Sequence, residues 1–354
     1  MHTNNKYFKK QKKIPIDKFF DDVLYNKNYG YYTNNYPFEK NGDFITAPSI
    51  SSLFGEMIAI WIISYWMYLG KPKKFNIVEL GPGNGKLAQN LLKTFKCFPE
   101  FYAIKNLYLY EKSNFLIKIQ KKNLLNNKIK WISNFKKIKN GPVIFIGNEF
   151  FDALPVKQFM RKKLSLFENH VSLDNNNSIK ENWLKASILS KKKIKNFKTL
   201  NQLSFIEYPQ IGFKVIDPII NKIKKLGGGI LLIDYGYNKK NNFSTIQSIK
   251  NHKKNKIFDN LGKADVTSLV NFGLLKEHFI KKKLNVKNAV TQSFFLKKVG
   301  ILERAERLSL KMNFKDKSDL YFRLERLLSK KHMGELFKLI FAHKGKKGSI
   351  LGFN

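Results

Sequence analysis

Apolar positions recur along this chain in two rhythms. Ile16–Leu24 carries them at helical spacing and predicts a short amphipathic helix. An aromatic, turn-rich stretch follows from Tyr29 to Pro48. A long apolar helix is expected over roughly Ser51–Leu69, with a serine cap at its start and Gly70 and Pro72 beyond its end. Its longest apolar run, Met57–Leu69, is too short to cross a bilayer, so no membrane insertion is expected.

From Phe75 the rhythm changes. Phe75–Leu80, Asn106–Glu111, Lys130–Ser133 and Pro142–Gly147 read as strands. Helical patterns at Leu87–Thr94 and Phe115–Leu125 separate the first three. Strands apolar on both faces, alternating with helices, predict a parallel sheet covered on both sides. Then the alternation breaks. Val156–Asp174 predicts a β-hairpin, and the Lys- and Asn-rich Asn175–Lys198 an exposed loop. A helix at Val215–Leu226 and a buried strand at Ile230–Asp234 resume the pattern. The tail from Ala264 mixes helices with one or two late strands near Leu284–Lys297.

The expected fold class is therefore α/β, a doubly wound, mostly parallel, Rossmann-like sheet. Residues 1–72 form an N-terminal helical and aromatic segment over the cleft, and 73–155 the first half of the core. Residues 156–213 are a substrate-facing insertion, and 214–354 complete the core and the C-terminal region.

Composition changes this picture in three places. The net charge of +40 invites a nucleic-acid reading, yet the basic residues are 61 Lys and five Arg. Lys, Asn and Ile are all abundant, as translation of an AT-rich genome would give, and arginine, the bidentate reader of phosphate and guanine, is scarce. One cysteine, Cys97, excludes a disulfide framework within the chain and reads as a small buried apolar residue. The basic N-terminus, Met1–Lys13, has no apolar segment after it and is not a secretory signal. A cytoplasmic location is the default.

The chemistry concentrates at two strand ends. Glu79-Leu80-Gly81-Pro82-Gly83-Asn84-Gly85 stands where a strand hands over to a helix, and Glu111 ends the next strand. Glycines let the backbone pass closely under a ligand, and a carboxylate at the Glu111 position can accept both ribose hydroxyls of an adenosine. A P-loop is excluded, because Leu80 stands where its first glycine belongs and Leu87 follows Lys86. A dinucleotide fold, read as Gly83-x-Gly85-x-x-Ala88, leaves Glu79 and Gly81 unexplained. A methyltransferase reading uses Glu79, Gly81, Gly83, Gly85 and Glu111 together, with S-adenosyl-L-methionine as cofactor.

At the fourth strand end stands Asn148-Glu149-Phe150-Phe151-Asp152. Ligands bind beyond the carboxyl ends of strands in open α/β sheets. Asn148, Glu149 and Asp152 are therefore the candidate catalytic residues, with two carboxylates able to fix an arginine guanidinium. The alternative is that Asn148 and Asp152 only cap the following turn. The tyrosines of Gly30-Tyr31-Tyr32 are either core packing or the lip of a pocket.

These residues resemble the MidA-like methyltransferases, a family that includes the mitochondrial complex I assembly factor with arginine methyltransferase activity. The similar blocks are Gly30-Tyr31-Tyr32, Gly42–Pro48, Phe54-Gly55-Glu56, Glu79–Gly83, Asn148–Val156, Ile233–Gly236, Ala264–Thr267 and Met333–Lys338. They run in family order over almost the whole chain. Ser49 and Lys86 depart from the family pattern, which has Glu and Thr there. The resemblance implies a class I methyltransferase fold, bound S-adenosylmethionine and a protein acceptor such as a complex I core subunit. It implies the mitochondrial matrix if the source is eukaryotic. Two other functions compete: an RNA or DNA amino-methyltransferase, and an assembly chaperone that keeps the fold without turnover.

Overall fold

The computed structural model describes residues 4–8, 12–35, 46–125, 128–346 and 348–354. The Gly42–Ile45 part of the aromatic entry stretch lies outside the described residues, as do parts of the Met1–Lys13 terminus.

The central sheet is built from β1 (Phe75–Leu80), β2 (Lys105–Tyr110), β3 (Ile129–Ile132), β4 (Val143–Asn148), β5 (Gly228–Tyr237), β6 (Asn285–Thr291) and β7 (Phe337–Lys344). Their order across the sheet is β6-β7-β5-β4-β1-β2-β3. The pairs β1–β2, β2–β3, β1–β4 and β4–β5 are parallel. β7 alone is reversed, pairing antiparallel with both β5 and β6. The order reverses at β1, so the cleft opens where β1 and β4 diverge to opposite sides.

Alternate side chains of each strand enter opposite cores, as the pleat requires. Ile77, Ile144, Ile146, Leu231 and Ile233 face one cluster with α2 (Ser52–Tyr68) and α3 (Lys86–Phe95), while α1 (Ile16–Tyr25) lies in a third, smaller cluster. Val78, Val143, Phe145 and Leu232 face another, with α5 (Gln210–Leu226) and α6 (Phe272–Lys281); α4 (Asn114–Asn123) follows β2. Helix α2 is apolar all round because it is buried all round: Trp61, Tyr65 and Trp66 have almost no exposure. Ser51 caps it by accepting the Leu53 N–H at 3.2 Å. Gly55 is where α2 meets α3, for a Cβ there would stand 2.4 Å from Asn90 Cβ. Among the described residues no helix is long and apolar enough to cross a membrane.

A second, five-stranded antiparallel sheet follows β4 in the chain. It joins Lys157–Lys162, Ser165–Leu173, Ile179–Lys185 and Phe205–Tyr208 to the short strand Ile14–Pro15. Lys157 at its heart pairs with Asp17 of α1 at 3.3 Å and with Glu168, so α1 is tied to this sheet by buried charge.

Three expectations need correction. Asn175–Lys198 is not a loop: it holds the strand Ile179–Lys185 and the helix Ile188–Lys195, capped by Ser187. This strand pairs only with Ser165–Leu173 among the described strands, and its Lys180 and Glu181, on opposite faces, are both exposed, so its composition looks like loop. The second late strand is β7, not part of Leu284–Lys297, whose end is the helix Gln292–Val299. Cys97 is exposed just past the end of α3 rather than buried.

Candidate functional site

Beyond the carboxyl ends of β1, β2, β4 and β5 lies a cavity of about 780 Å³. The turn after β1 forms its floor. Gly81, Gly83 and Gly85 take φ of +60°, +54° and +83°, a region open to glycine and costly for other residues. The Gly81 N–H donates to the Tyr110 carbonyl at 3.0 Å, which pins the turn to β2. A Cβ at Gly81 would stand 3.0 Å from the Phe150 ring, so that position leaves little room for a side chain. Lys86, which opens α3, turns its ammonium to Gln89 Oε1 on the same helix at 3.2 Å.

Glu79 is buried one residue before the turn. Its Oε2 has no hydrogen-bond partner, and burial pushes its carboxyl up to about 8. Glu111 follows β2 directly. Its Oε1 accepts the Lys112 and Ser113 N–H groups, each at 2.8 Å. Gln120 of α4 donates to Glu111 Oε2 at 3.3 Å and to the Gly83 carbonyl at 2.9 Å. Trp131 of β3 holds Gln120 in turn, donating to its Oε1 at 2.9 Å. Three consecutive strands thus fix one carboxylate and one loop relative to each other.

These donors and acceptors fit S-adenosylmethionine. The cofactor presents an ammonium, a ribose diol and a chain that must pass close to backbone. The unpartnered Glu79 oxygen can take a cation or a hydroxyl, the oriented Glu111 can take the diol, and the glycines of the turn admit the close approach. Among the described residues no group of His, Cys, Asp and Glu could hold a metal ion.

The second half of the site is the turn after β4. Asn148 ends the strand and donates through Nδ2 to Glu149 Oε1 at 3.0 Å. Glu149 sits at φ +50°, a left-handed conformation uncommon for a non-glycine residue. Its carboxyl is pushed up to about 8, chiefly by burial and then by the charge of Asp152. Burial also raises Asp152, to about 6, and leaves its Oδ1 without a hydrogen-bond partner. The N–H groups of Phe151 and Asp152 are taken by Asp234 Oδ2 of β5, at 2.9 and 3.2 Å. Asp234 thus takes two N–H groups of this turn, and Glu149 and Asp152 line the cavity.

Seven of the eight residues singled out from sequence line this volume; Gly85 does not, standing just before α3 between Asn84 and Lys86, which do. Sequence reasoning assigned no role to Asp234, Tyr235, Asp265 or Tyr25. Asp234, Tyr235 and Asp265 lie in blocks shared with the resembled family, which was the available signal. The tyrosine alternatives divide: Tyr31 is core, whereas Tyr32 lines the cavity.

Charge distinguishes the cavity from the rest of the chain. Among the described residues its wall carries six carboxyls, from Asp21, Glu79, Glu111, Glu149, Asp152 and Asp265, against three lysines. The chain as a whole has 66 basic residues against 26 acidic ones. The site is acidic inside a basic protein.

Known proteins are similar to this chain along most of its length. Residues 57–290 match the model of a family described as "Putative S-adenosyl-L-methionine-dependent methyltransferase". A relative from Homo sapiens, named protein arginine methyltransferase NDUFAF7, mitochondrial, is 30% identical over 92% of this chain and 78% of its own. A Caenorhabditis elegans homolog of the same name is 32% identical over 77% of this chain and 68% of its own. A methyl transferase-like crystal structure from Burkholderia thailandensis, bound to S-adenosyl-homocysteine, shares the fold with a TM-score of 0.82 at 21% identity. That alignment covers 96% of this chain and 90% of the other.

Proposed function

We propose, from the premise that this chain belongs to the S-adenosyl-L-methionine-dependent methyltransferase family it matches, that its acceptor is an arginine of a partner protein. The enzyme class and the cofactor follow from that membership. The acceptor rests on one observation above all, the acidic cavity within a basic chain. A cationic acceptor can pair with these carboxyls as they ionise, whereas a phosphodiester meets few cations among the described lining residues.

When bound, S-adenosylmethionine supplies a methyl group already activated on a sulfonium. The chain must hold, align and dry the reactants. In this reading Glu79, Gly81, Gly83 and Gly85 cradle the cofactor, and Glu111 accepts its ribose hydroxyls. Asn148, Glu149 and Asp152 fix the guanidinium so that one nitrogen lone pair points at the methyl. Glu149, with its carboxyl held near 8, is suited to take the proton which that nitrogen loses. The relatives' names support a protein-arginine acceptor, and we place the partner among complex I core subunits. The compartment is then the bacterial cytoplasm or the mitochondrial matrix.

A nucleic-acid acceptor would have to bring phosphates past the six carboxyls. A chaperone without turnover would not need the cavity open. Incubation with radiolabelled cofactor and host lysate, followed by nuclease or protease, separates these readings. Label that survives nuclease and is lost to protease is expected. Label lost to nuclease would overturn the proposal, and no labelling at all would favour the chaperone.

A further inference from the structure

The antiparallel sheet has one end near the β4 turn and another well away from it. The strand Lys157–Lys162 starts three residues after Leu154 of the cavity wall and carries the chain on the order of 15 Å along the sheet. Three loops come together at its far end. The hairpin turn Lys163-Leu164 joins Lys162 to Ser165, which pair with each other. The neighbouring ladder, between Ser165–Leu173 and Ile179–Lys185, is extended by the Ala186 N–H, which donates to the Leu166 carbonyl at 2.8 Å. That register brings the start of the helix Ile188–Lys195 to the hairpin turn. On the other side, the Arg161 N–H donates to the Ser204 carbonyl at 2.7 Å, and the Ser204 N–H donates to Asn242 Oδ1 at 2.9 Å. The loop that carries Phe243 therefore belongs to the same end.

These loops turn large apolar side chains into solvent. Leu164 is fully exposed, Ile188 is 85% exposed, Phe243 70% and Leu189 61%. Around them, residues 161–163, 185–192 and 239–243 carry eight basic side chains and no acidic one. Leu310, Phe314 and Phe322 are exposed as well, but residues 301–328 around them carry five acids. A patch of exposed apolar side chains marks a surface that something else covers. Single-stranded nucleic acid is held by aromatic platforms and arginine, and this end offers one phenylalanine and one arginine, whose Nε donates to the Leu203 carbonyl at 3.3 Å. Protein interfaces are depleted in lysine. An anionic bilayer fits both halves of the patch: aliphatic side chains enter the acyl boundary while lysines stay at the headgroup phosphates. We infer that this end of the sheet docks the protein on an anionic lipid surface, with Leu164, Ile188, Leu189 and Phe243 inserting within a ring of lysines. Such docking is peripheral, and it does not depend on which group accepts the methyl.

The test is co-sedimentation of the full chain with phosphatidylcholine vesicles, with and without roughly 30% phosphatidylserine, at about 0.15 M salt. Wild type is expected to bind the anionic vesicles at least about tenfold more tightly than the neutral ones. Leu164→Ser with Ile188→Ser and Leu189→Ser should weaken anionic binding by about tenfold or more. Lys162→Gln with Lys185→Gln should weaken it roughly twenty-fivefold, about fivefold for each charge. Leu310→Ser with Phe322→Ser, the same change on the acid-bearing helices, should leave it at the wild-type value. S-adenosylhomocysteine affinity reports an intact fold in each variant. A wild type that binds both vesicles equally or neither, or a triple serine variant that binds as wild type does, would overturn the inference. Equal loss in the Leu310 and Phe322 variant would overturn it too. So would a triple variant that keeps vesicle binding but loses self-association or binding to a single-stranded RNA oligomer, by assigning the face to a second copy or to nucleic acid.

Discussion

Glu149 brings strain, burial and chemistry together in one residue. Its φ of +50° costs on the order of 1 kcal/mol and is held by the neighbouring turn, whose N–H groups Asp234 binds. Its buried carboxyl, raised from 4.5 to about 8, prefers to be protonated in the folded state. Such an acid stabilises the fold fully below pH 4.5, and that contribution is lost as pH rises toward 8. Glu149→Gln keeps the shape and removes the ionisation. Thermal unfolding of the cofactor-free protein should show the variant more stable than wild type at pH 8.5, with the two converging near pH 4.5. The same substitution should lower methyl transfer by about 10²–10³-fold, since an oriented electrostatic contact in a dry site is worth about 3–4 kcal/mol. Cofactor affinity should hardly change. A variant that turns over fully, or that gains no stability at high pH, would remove Glu149 from this role.

At the scale of elements, the turn after β1 carries the cofactor argument. Gly83→Val would place a β-branched residue at a φ of +54° and a side chain in the cavity. Calorimetry should show S-adenosylmethionine binding to wild type and little to this variant. Glu111→Ala, which loses a pre-oriented acceptor, should weaken binding roughly ten- to hundredfold, or about 1.5–3 kcal/mol. Equal binding by wild type and Gly83→Val would move the cofactor elsewhere. This element was legible in sequence because its constraint is local: a strand, three glycines and a helix start in one short run. The same holds for β4, whose apolar run is buried on both faces. What escaped the sequence reading depends on pairing partners rather than on the segment itself. Ile179–Lys185 is a strand because Ser165–Leu173 lies beside it, not because its residues demand it. β7 closes the sheet from the far end of the chain, between β5 and β6. Asp234 acts through a turn more than 80 residues earlier in the chain, and Asp265 shares a cavity with Tyr25 and Tyr32 only once the fold brings them together.

At the scale of the whole molecule, the net charge of +40 and the acidic cavity point to different partners. The cavity decides, because the reacting group must enter it while the lysine-rich exterior remains in water and is screened by salt. Tyr25, Tyr32, the β4 turn and the glycine turn line one chamber, and in the proposed reading its cofactor groups lie toward β1 and β2 and its acceptor groups toward β4 and β5. The claim that unites these parts is that the methyl group ends on arginine. The measurement that tests it most directly is amino-acid analysis of protein labelled by this enzyme from radiolabelled S-adenosylmethionine, after complete acid hydrolysis. The account predicts that the label is recovered as methylated arginine. Recovery as methyl-lysine, or as a methylated base from co-purified nucleic acid, would contradict it.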